Sequence, residues 1–234
     1  MLELRRVAKY FGRFSALREL DLRVEPGDFV ALFGRNGAGK TTLLRIAAGL
    51  SAPSAGSVKV GRDAAERPRE ARGRIGYLAH ATVLYADLTA LENLRFYARL
   101  FDLPDRDREL SERLARVGLA GREHEPVRNY SRGMQQRLAI VRAFLHDPDL
   151  LLLDEPFTGL DREGTDFLKG FLRTERSRGK TALMAIHDLP LGYELGSRLV
   201  AIDRGRVALD VAQESLSFDD FERRYGALGP PHAR

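Results

Sequence analysis

The chain has 234 residues, 44% hydrophobic and 30% charged, enough for one large α/β domain carrying a smaller unit. It contains no cysteine, which excludes disulfides, thiolate-bound metals and cysteine nucleophiles. Its net charge of +5 comes from arginines interspersed with acids, as in Arg67-Pro68-Arg69-Glu70-Ala71-Arg72, without interleaved aromatics, so no nucleic-acid partner is expected.

The opening Met1-Leu2-Glu3-Leu4-Arg5-Arg6 has no apolar signal core. No uninterrupted apolar run approaches the ~20 residues of a membrane span, and the chain is expected not to cross a membrane by itself. Leu2–Val7 and Ala16–Val24 read as strands, with Lys9-Tyr10-Phe11-Gly12 as the turn between them. Glu25-Pro26-Gly27-Asp28 then turns into the apolar, β-prone run Phe29-Val30-Ala31-Leu32-Phe33.

That run leads into Gly34-Arg35-Asn36-Gly37-Ala38-Gly39-Lys40-Thr41, which has the form G-x-x-x-x-G-K-[ST]. A helix-period run, Thr42 to Ala48, follows and stops at Gly49. Strand, glycine loop and helix together aim backbone N–H groups and a positive helix end at phosphate. Lys40 is suited to the β- and γ-phosphates, the Thr41 hydroxyl to Mg²⁺, and Thr42 to the α-phosphate. The loop therefore predicts a nucleoside triphosphate site.

Beyond it, Ser51–Ser57 reads as a loop, Val58–Val60 as a short strand, and 62–73 as a charged stretch without period. Ile75–Leu78 is a short buried strand ending at His80. Three helices follow: one on Leu91, Leu94, Tyr97, Ala98 and Phe101, with Thr89 and Glu92 as a capping box; one on Leu110, Leu114 and Val117; one capped by Ser131. They interrupt the strand–helix alternation, and 80–146 is read as a helical subdomain inserted into a core formed by 1–79 and 147–225.

The core resumes with Leu150-Leu151-Leu152-Leu153, a central parallel strand by its unbroken apolar run. Asp154-Glu155-Pro156 follows, putting two carboxylates at the strand edge where α/β sheets hold ligands. Asp154 suits Mg²⁺, and Glu155 suits the attacking water. Asp161 caps the next helix, Thr181–Ile186 is a strand, Arg198–Leu209 a hairpin and 217–225 a short helix; 226–234 is expected to be a flexible tail.

Tyr130-Ser131-Arg132-Gly133-Met134-Gln135-Gln136-Arg137 resembles the signature motif of the ABC ATPases, L-S-G-G-Q, with Ser131, Gly133 and Gln135 taken as the matching positions. Gly159-Leu160-Asp161 resembles that family's D-loop, His187 its switch histidine, which would bond the γ-phosphate and help place Glu155 and water, and Phe11 the aromatic that stacks on adenine, with Tyr10 as a competing candidate. The resemblance spans Leu2 to about Asp210 and implies a P-loop NTPase fold: a mostly parallel sheet, an antiparallel β subdomain and an inserted helical subdomain. It implies ATP and Mg²⁺ as ligands and a nucleotide-sandwich dimer, a homodimer in the simplest case. Each ATP would lie between one chain's phosphate loop and the other's Ser131 region. It further implies integral membrane partners and a peripheral position on the cytoplasmic face of the inner membrane.

Where the family has a glutamine touching Mg²⁺ and water, this chain has His80, which is either a substitute in that catalytic role or a surface histidine. Tyr77-Leu78-Ala79-His80 with Leu88–Phe96 resembles the ATPase of the cytochrome c maturation haem exporter, while the Ser131-Arg132-Gly133-Met134 form is shared with exporters of drugs or lipids, so an ABC exporter for drugs, lipids or polysaccharide is the alternative. Two other classes stay open. A soluble, non-transport ABC ATPase fits the cassette, although no second cassette, heptad block or cysteine supports it. A P-loop metabolite kinase uses Lys40 and Asp154 but leaves Ser131–Gln135 and His187 without work.

Overall fold

The computed structural model describes residues 1–61, 67–104 and 106–228. The expected tail from 229 onward and part of the charged 62–73 stretch lie outside the described residues.

The first layer is a three-stranded antiparallel sheet of β1 (Leu2–Phe11), β2 (Phe14–Val24) and β4 (Ala55–Val60), in the order β2-β1-β4. The expected four-residue turn at Lys9–Gly12 is shorter than that. Lys9, Tyr10 and Phe11 belong to β1, Phe11 pairs with Phe14, and only Gly12 and Arg13 turn the chain. Gly12, at φ 57, supplies the left-handed residue that so tight a connection needs.

The second sheet runs β5-β6-β7-β3-β8-β9. Its strands are β3 (Phe29–Phe33), β5 (Ile75–Leu78), β6 (Leu150–Asp154), β7 (Thr181–Ala185), β8 (Arg198–Asp203) and β9 (Arg206–Ala212). The first five in spatial order are parallel, and β9 closes the edge antiparallel to β8. Burial on both faces explains why β3 is apolar throughout and why β6 and β7 are apolar apart from Asp154 at the end of one and Thr181 at the start of the other. Within them the side chains alternate. Val30, Leu32, Leu150 and Leu152 face the antiparallel sheet and α1 (Lys40–Ala47). Ala31, Phe33, Leu151 and Leu153 face the helices of the opposite layer.

That opposite layer contains α4 (Arg132–Ala143), α5 (Arg162–Ser177), α6 (Leu189–Leu195) and α7 (Phe218–Gly226). Helix α6 has no counterpart in the sequence reading; Asp188 caps it by accepting from the Leu191 N–H, and Pro190 sits in its first turn. Helices α2 (Ala90–Leu100) and α3 (Asp107–Arg116) share a separate apolar cluster with one face of α4, through Leu91, Leu94, Leu110, Leu114 and Leu138. The Thr89–Glu92 capping box at the start of α2 is formed in both directions.

The parallel pairing decides where the chemistry lies. Strands β3, β7, β6 and β5 all end on one edge, and the residues that follow them are Gly34, Ile186-His187, Glu155 and Ala79-His80. Residues scattered over 150 positions of sequence thus meet along one rim.

Candidate functional site: a phosphate loop facing two strand ends

The loop after β3 depends on glycine at two positions. A Cβ on Gly39, at φ 110, would stand 2.6 Å from the Ala16 carbonyl oxygen, and one on Gly34 would stand 2.7 Å from that of Ile202. The loop is therefore pressed against its neighbours through backbone alone. Helix α1 begins directly after it with no side-chain cap and no acid in its first turn. Its leading N–H groups and positive end are left to an external anion.

Lys40 is buried, and its Nζ donates to the carbonyls of Gly34 at 2.6 Å and Arg35 at 3.2 Å. Burial holds its pKa below the ordinary lysine value, against the pull of Glu155 and Asp154. Thr41 Oγ1 donates to Asp154 Oδ1 at 3.1 Å, while Asp154 Oδ2 is buried without a hydrogen-bond partner among the described residues. Burial raises the Asp154 carboxyl, and the Thr41 bond opposes that shift. An orphaned buried carboxylate oxygen beside a hydroxyl is a hard-oxygen pair that fits Mg²⁺. Among the described residues no group of three or more His, Cys, Asp or Glu side chains could hold a metal. A Mg²⁺ held here would take its remaining ligands from phosphate and water, its usual habit.

Glu155 sits one residue past β6 in the left-handed region, at φ 53. Two imidazoles flank its carboxylate: His187 Nε2 lies 2.5 Å from Oε1, and His80 Nδ1 lies 3.4 Å from Oε2. Burial pushes the Glu155 carboxyl up, but His187, His80 and Lys40 outweigh it and hold the pKa below the ordinary value. The carboxylate is thus kept ionised, an acceptor able to orient water.

Lys40, Thr41, Thr42, Arg35, Asn36 and Glu155 line one cleft of about 230 Å³, with Gly37 and Gly39 in its wall and Ala38 buried behind it. Phe11 and Phe14 complete its rim, both more than half exposed, with Lys9 Nζ 5.2 Å from the Phe11 ring centre. Tyr10 is not part of this lining; its N–H is held by Ser54 Oγ. Phe14 was missed in the sequence. Two aromatics flanking a Gly-Arg turn were the available signal, and their pairing across the hairpin makes them one surface.

Ser131, Gly133, Gln135 and Asp161 are not in that cleft. They form a second assembly. Ser131 Oγ accepts from the Met134 N–H at 3.3 Å and starts α4. A Cβ on Gly133 would lie 3.5 Å from the Gly159 carbonyl oxygen, and Arg132 packs against Gly159. Asp161 Oδ1 accepts from the Gly164 N–H at 2.7 Å and from Arg137 Nη2 at 2.9 Å. Gln135 is engaged within its own chain. Its Nε2 turns back to the carbonyls of Val127 and Tyr130, 3.4 and 3.3 Å away, so it braces the helix start from behind. Read without a gap, L-S-G-G-Q places its glutamine at Met134.

Fold and site together define an ATP-binding cassette. The family model described as ABC transporter matches residues 17–158, and the chain belongs to that family. The Nod factor export ATP-binding protein I of Cupriavidus pinatubonensis is 39% identical over 88% of this chain, which spans 64% of that relative's length. The cytochrome c biogenesis ATP-binding export protein CcmA of Vibrio cholerae is 37% identical over 80% of this chain and 91% of its own. A solved dimer of an ATP-binding cassette in a post-hydrolysis state, bound to ADP and Pi, is similar at a TM-score of 0.83 and 27% identity, over 91% of this chain and 99% of that one.

Proposed function

We propose that this chain is the ATP-hydrolysing motor subunit of an ABC exporter, working as a nucleotide-sandwich dimer on the cytoplasmic face of the inner membrane. The observation that carries the reading is the convergence of Thr41–Asp154 and His187–Glu155–His80 on the rim that holds the phosphate loop. Lys40 and the loop N–H groups bind the β- and γ-phosphates, and Phe11, with Phe14 beside it, offers the adenine a flat apolar surface. Mg²⁺, held by Thr41 and Asp154, supplies neutralisation of the phosphate charge. Glu155 orients the attacking water and draws on its proton; His187 holds Glu155 in place and reaches toward the γ-phosphate. Ser131 and Gly133 of a second copy complete the site from the other side, and Asp161 lies at the same dimer face.

Residues 1–79 and 147–225 act as the core and 80–146 as the moving helical unit; the apolar cluster that α2 and α3 share with one face of α4 supports the division, while the other face of α4 packs on the core through Ala139, Ile140 and Ala143. A membrane subunit fits a patch next to His80, where Val83, Tyr85, Phe96 and Leu100 are exposed and the Tyr85 and Phe96 rings meet at 4.9 Å. Buried Asn93 holds this patch in shape by bonding both the N–H and the carbonyl of Tyr85. Among the described residues no helix is long and apolar enough to cross a membrane, which suits docking onto one. For the exported substrate we favour haem for cytochrome c maturation, on the Tyr77–His80 segment and the CcmA relatives. The Nod factor export relatives support a second reading within the same class.

The test is ATP hydrolysis by the purified chain and its Glu155→Gln variant. The reading expects Mg²⁺-dependent hydrolysis that falls about 10²- to 10⁴-fold in the variant while ATP binding persists. A parent chain that binds ATP without hydrolysing it, or a variant as fast as the parent, overturns it.

A further inference from the structure

Helix α4 begins at the Ser131 assembly, yet two of its buried polar side chains reach across to the catalytic rim. Gln136, 4% exposed, donates from Nε2 to the Pro156 carbonyl at 2.9 Å. Arg142, two turns further on, is also buried; its Nη2 donates to the Tyr77 carbonyl at 2.9 Å, and its guanidinium lies 5.2 Å from the Tyr97 ring centre. Pro156 directly follows Glu155, and Tyr77 stands three residues before His80. The same helix therefore grips the segment carrying the carboxylate and the segment carrying one of its two imidazole neighbours.

The grip on Pro156 has a local reason. Glu155 is a left-handed, non-glycine residue placed before a proline, a position that favours extended backbone. Such a conformation persists only where its surroundings over-determine it. Three bonds do so here. The Glu155 N–H donates to Ala185 O at 3.1 Å, the Thr158 N–H donates to Glu155 O at 3.1 Å, and Gln136 fixes Pro156 O. Only the last comes from outside the sheet and its own turn. From Ser131 to Gln136 is about 7.5 Å of helix, too short to flex.

We propose that Gln136 is a positioning residue that couples the Ser131 end of α4 to the orientation of Glu155. When a second copy's nucleotide engages the start of α4, the helix moves as a unit, and the Gln136–Pro156 bond carries that displacement to the carboxylate. This inference rests on the reading of Glu155 as the group that orients water.

The test is Gln136→Met, which keeps the volume and removes the donor, measured for kcat, KM, ATP affinity and thermal midpoint. The expected result is a fall in kcat of about 10- to 100-fold with ATP affinity within about twofold and the midpoint near that of the parent. Gln136→Asn, which stays polar but cannot reach Pro156, is expected to lose kcat in the same way, and serves if the methionine variant does not fold. Gln136→Lys, which restores a donor of sufficient length, is expected to recover part of the rate. Unchanged kcat in the folded variants, or parallel losses in kcat, affinity and midpoint, overturns the coupling while leaving the hydrolytic reading intact. Absence of hydrolysis in the parent overturns both.

Discussion

The phosphate-loop rim and the Ser131 assembly are built in opposite ways. At the rim, side chains from three strand ends and the start of α1 touch one another inside a single chain: Thr41 with Asp154, and His187 and His80 with Glu155. At the Ser131 assembly the side chains are spent on capping and bracing α4 and α5 and on tying the two together. Ser131 caps α4, Gln135 braces it, and Asp161 caps α5 and pairs with Arg137. What remains there for another molecule is backbone, a glycine and a helix end. On the function proposed above, the first region binds and polarises a nucleotide unaided, and the second acts only on a nucleotide carried by something else.

Gly133→Asp should break this contrast most strongly. The new carboxylate would meet a partner's γ-phosphate, so hydrolysis should fall by about 100-fold while a single chain still binds ATP with parental affinity. Equilibrium binding of a fluorescent ATP analogue beside a phosphate-release assay separates the two; loss of binding in the variant would place Gly133 in the rim instead.

A smaller effect is expected at His80. With the membrane subunits present, His80→Ala should lower the coupled hydrolysis rate several-fold, and His80→Gln, which keeps a group able to donate and accept, should retain most of it. Equal coupled rates in the parent and His80→Ala would return His80 to the status of a surface histidine.

The smallest effect concerns the far end of α4. His146 stacks on Phe101 with ring centres 3.8 Å apart and bonds Ile75 O through Nε2, while its Nδ1 is buried without a partner among the described residues. Burial lowers its pKa below 6.5, against the pull of the Ile75 carbonyl and Asp147; Lys180 and Arg142 lower it further. Well above pH 6.5 the group is neutral folded or unfolded, and its titration adds no pH dependence to stability. As the pH falls below that value the unfolded chain takes up the proton first, and stability declines until the folded value is reached. His146→Phe should make the decline of the thermal midpoint shallower in that window; an unchanged slope would remove His146 from the account.

The difference between the two regions also explains what the sequence disclosed. Gly34–Thr41 was legible because its geometry is local: strand, glycines and helix follow one another. Asp154-Glu155 was legible because the apolar run before it announces a strand edge. The family resemblance set His187 to help place Glu155; the contact itself comes from a pairing no single segment displays, Asp154 beside Ala185 in parallel strands. Phe14 was hidden because the hairpin tip is tighter than its residues suggest, and α6 because its short apolar stretch has no helical period. Gln136 resembled any other polar residue in a helix; its donor role depends on Pro156, twenty positions away.

The central claim is that the rim is half of a site which the Ser131 assembly of a second copy completes. Sedimentation of Glu155→Gln in ATP, in ADP, and with Gly133→Asp added tests it most directly. The expected result is a dimer in ATP, a monomer in ADP, and a monomer in ATP once Gly133→Asp is present with ATP binding preserved. A Glu155→Gln chain saturated with ATP that stays monomeric, or a dimer indifferent to Gly133→Asp, would contradict it.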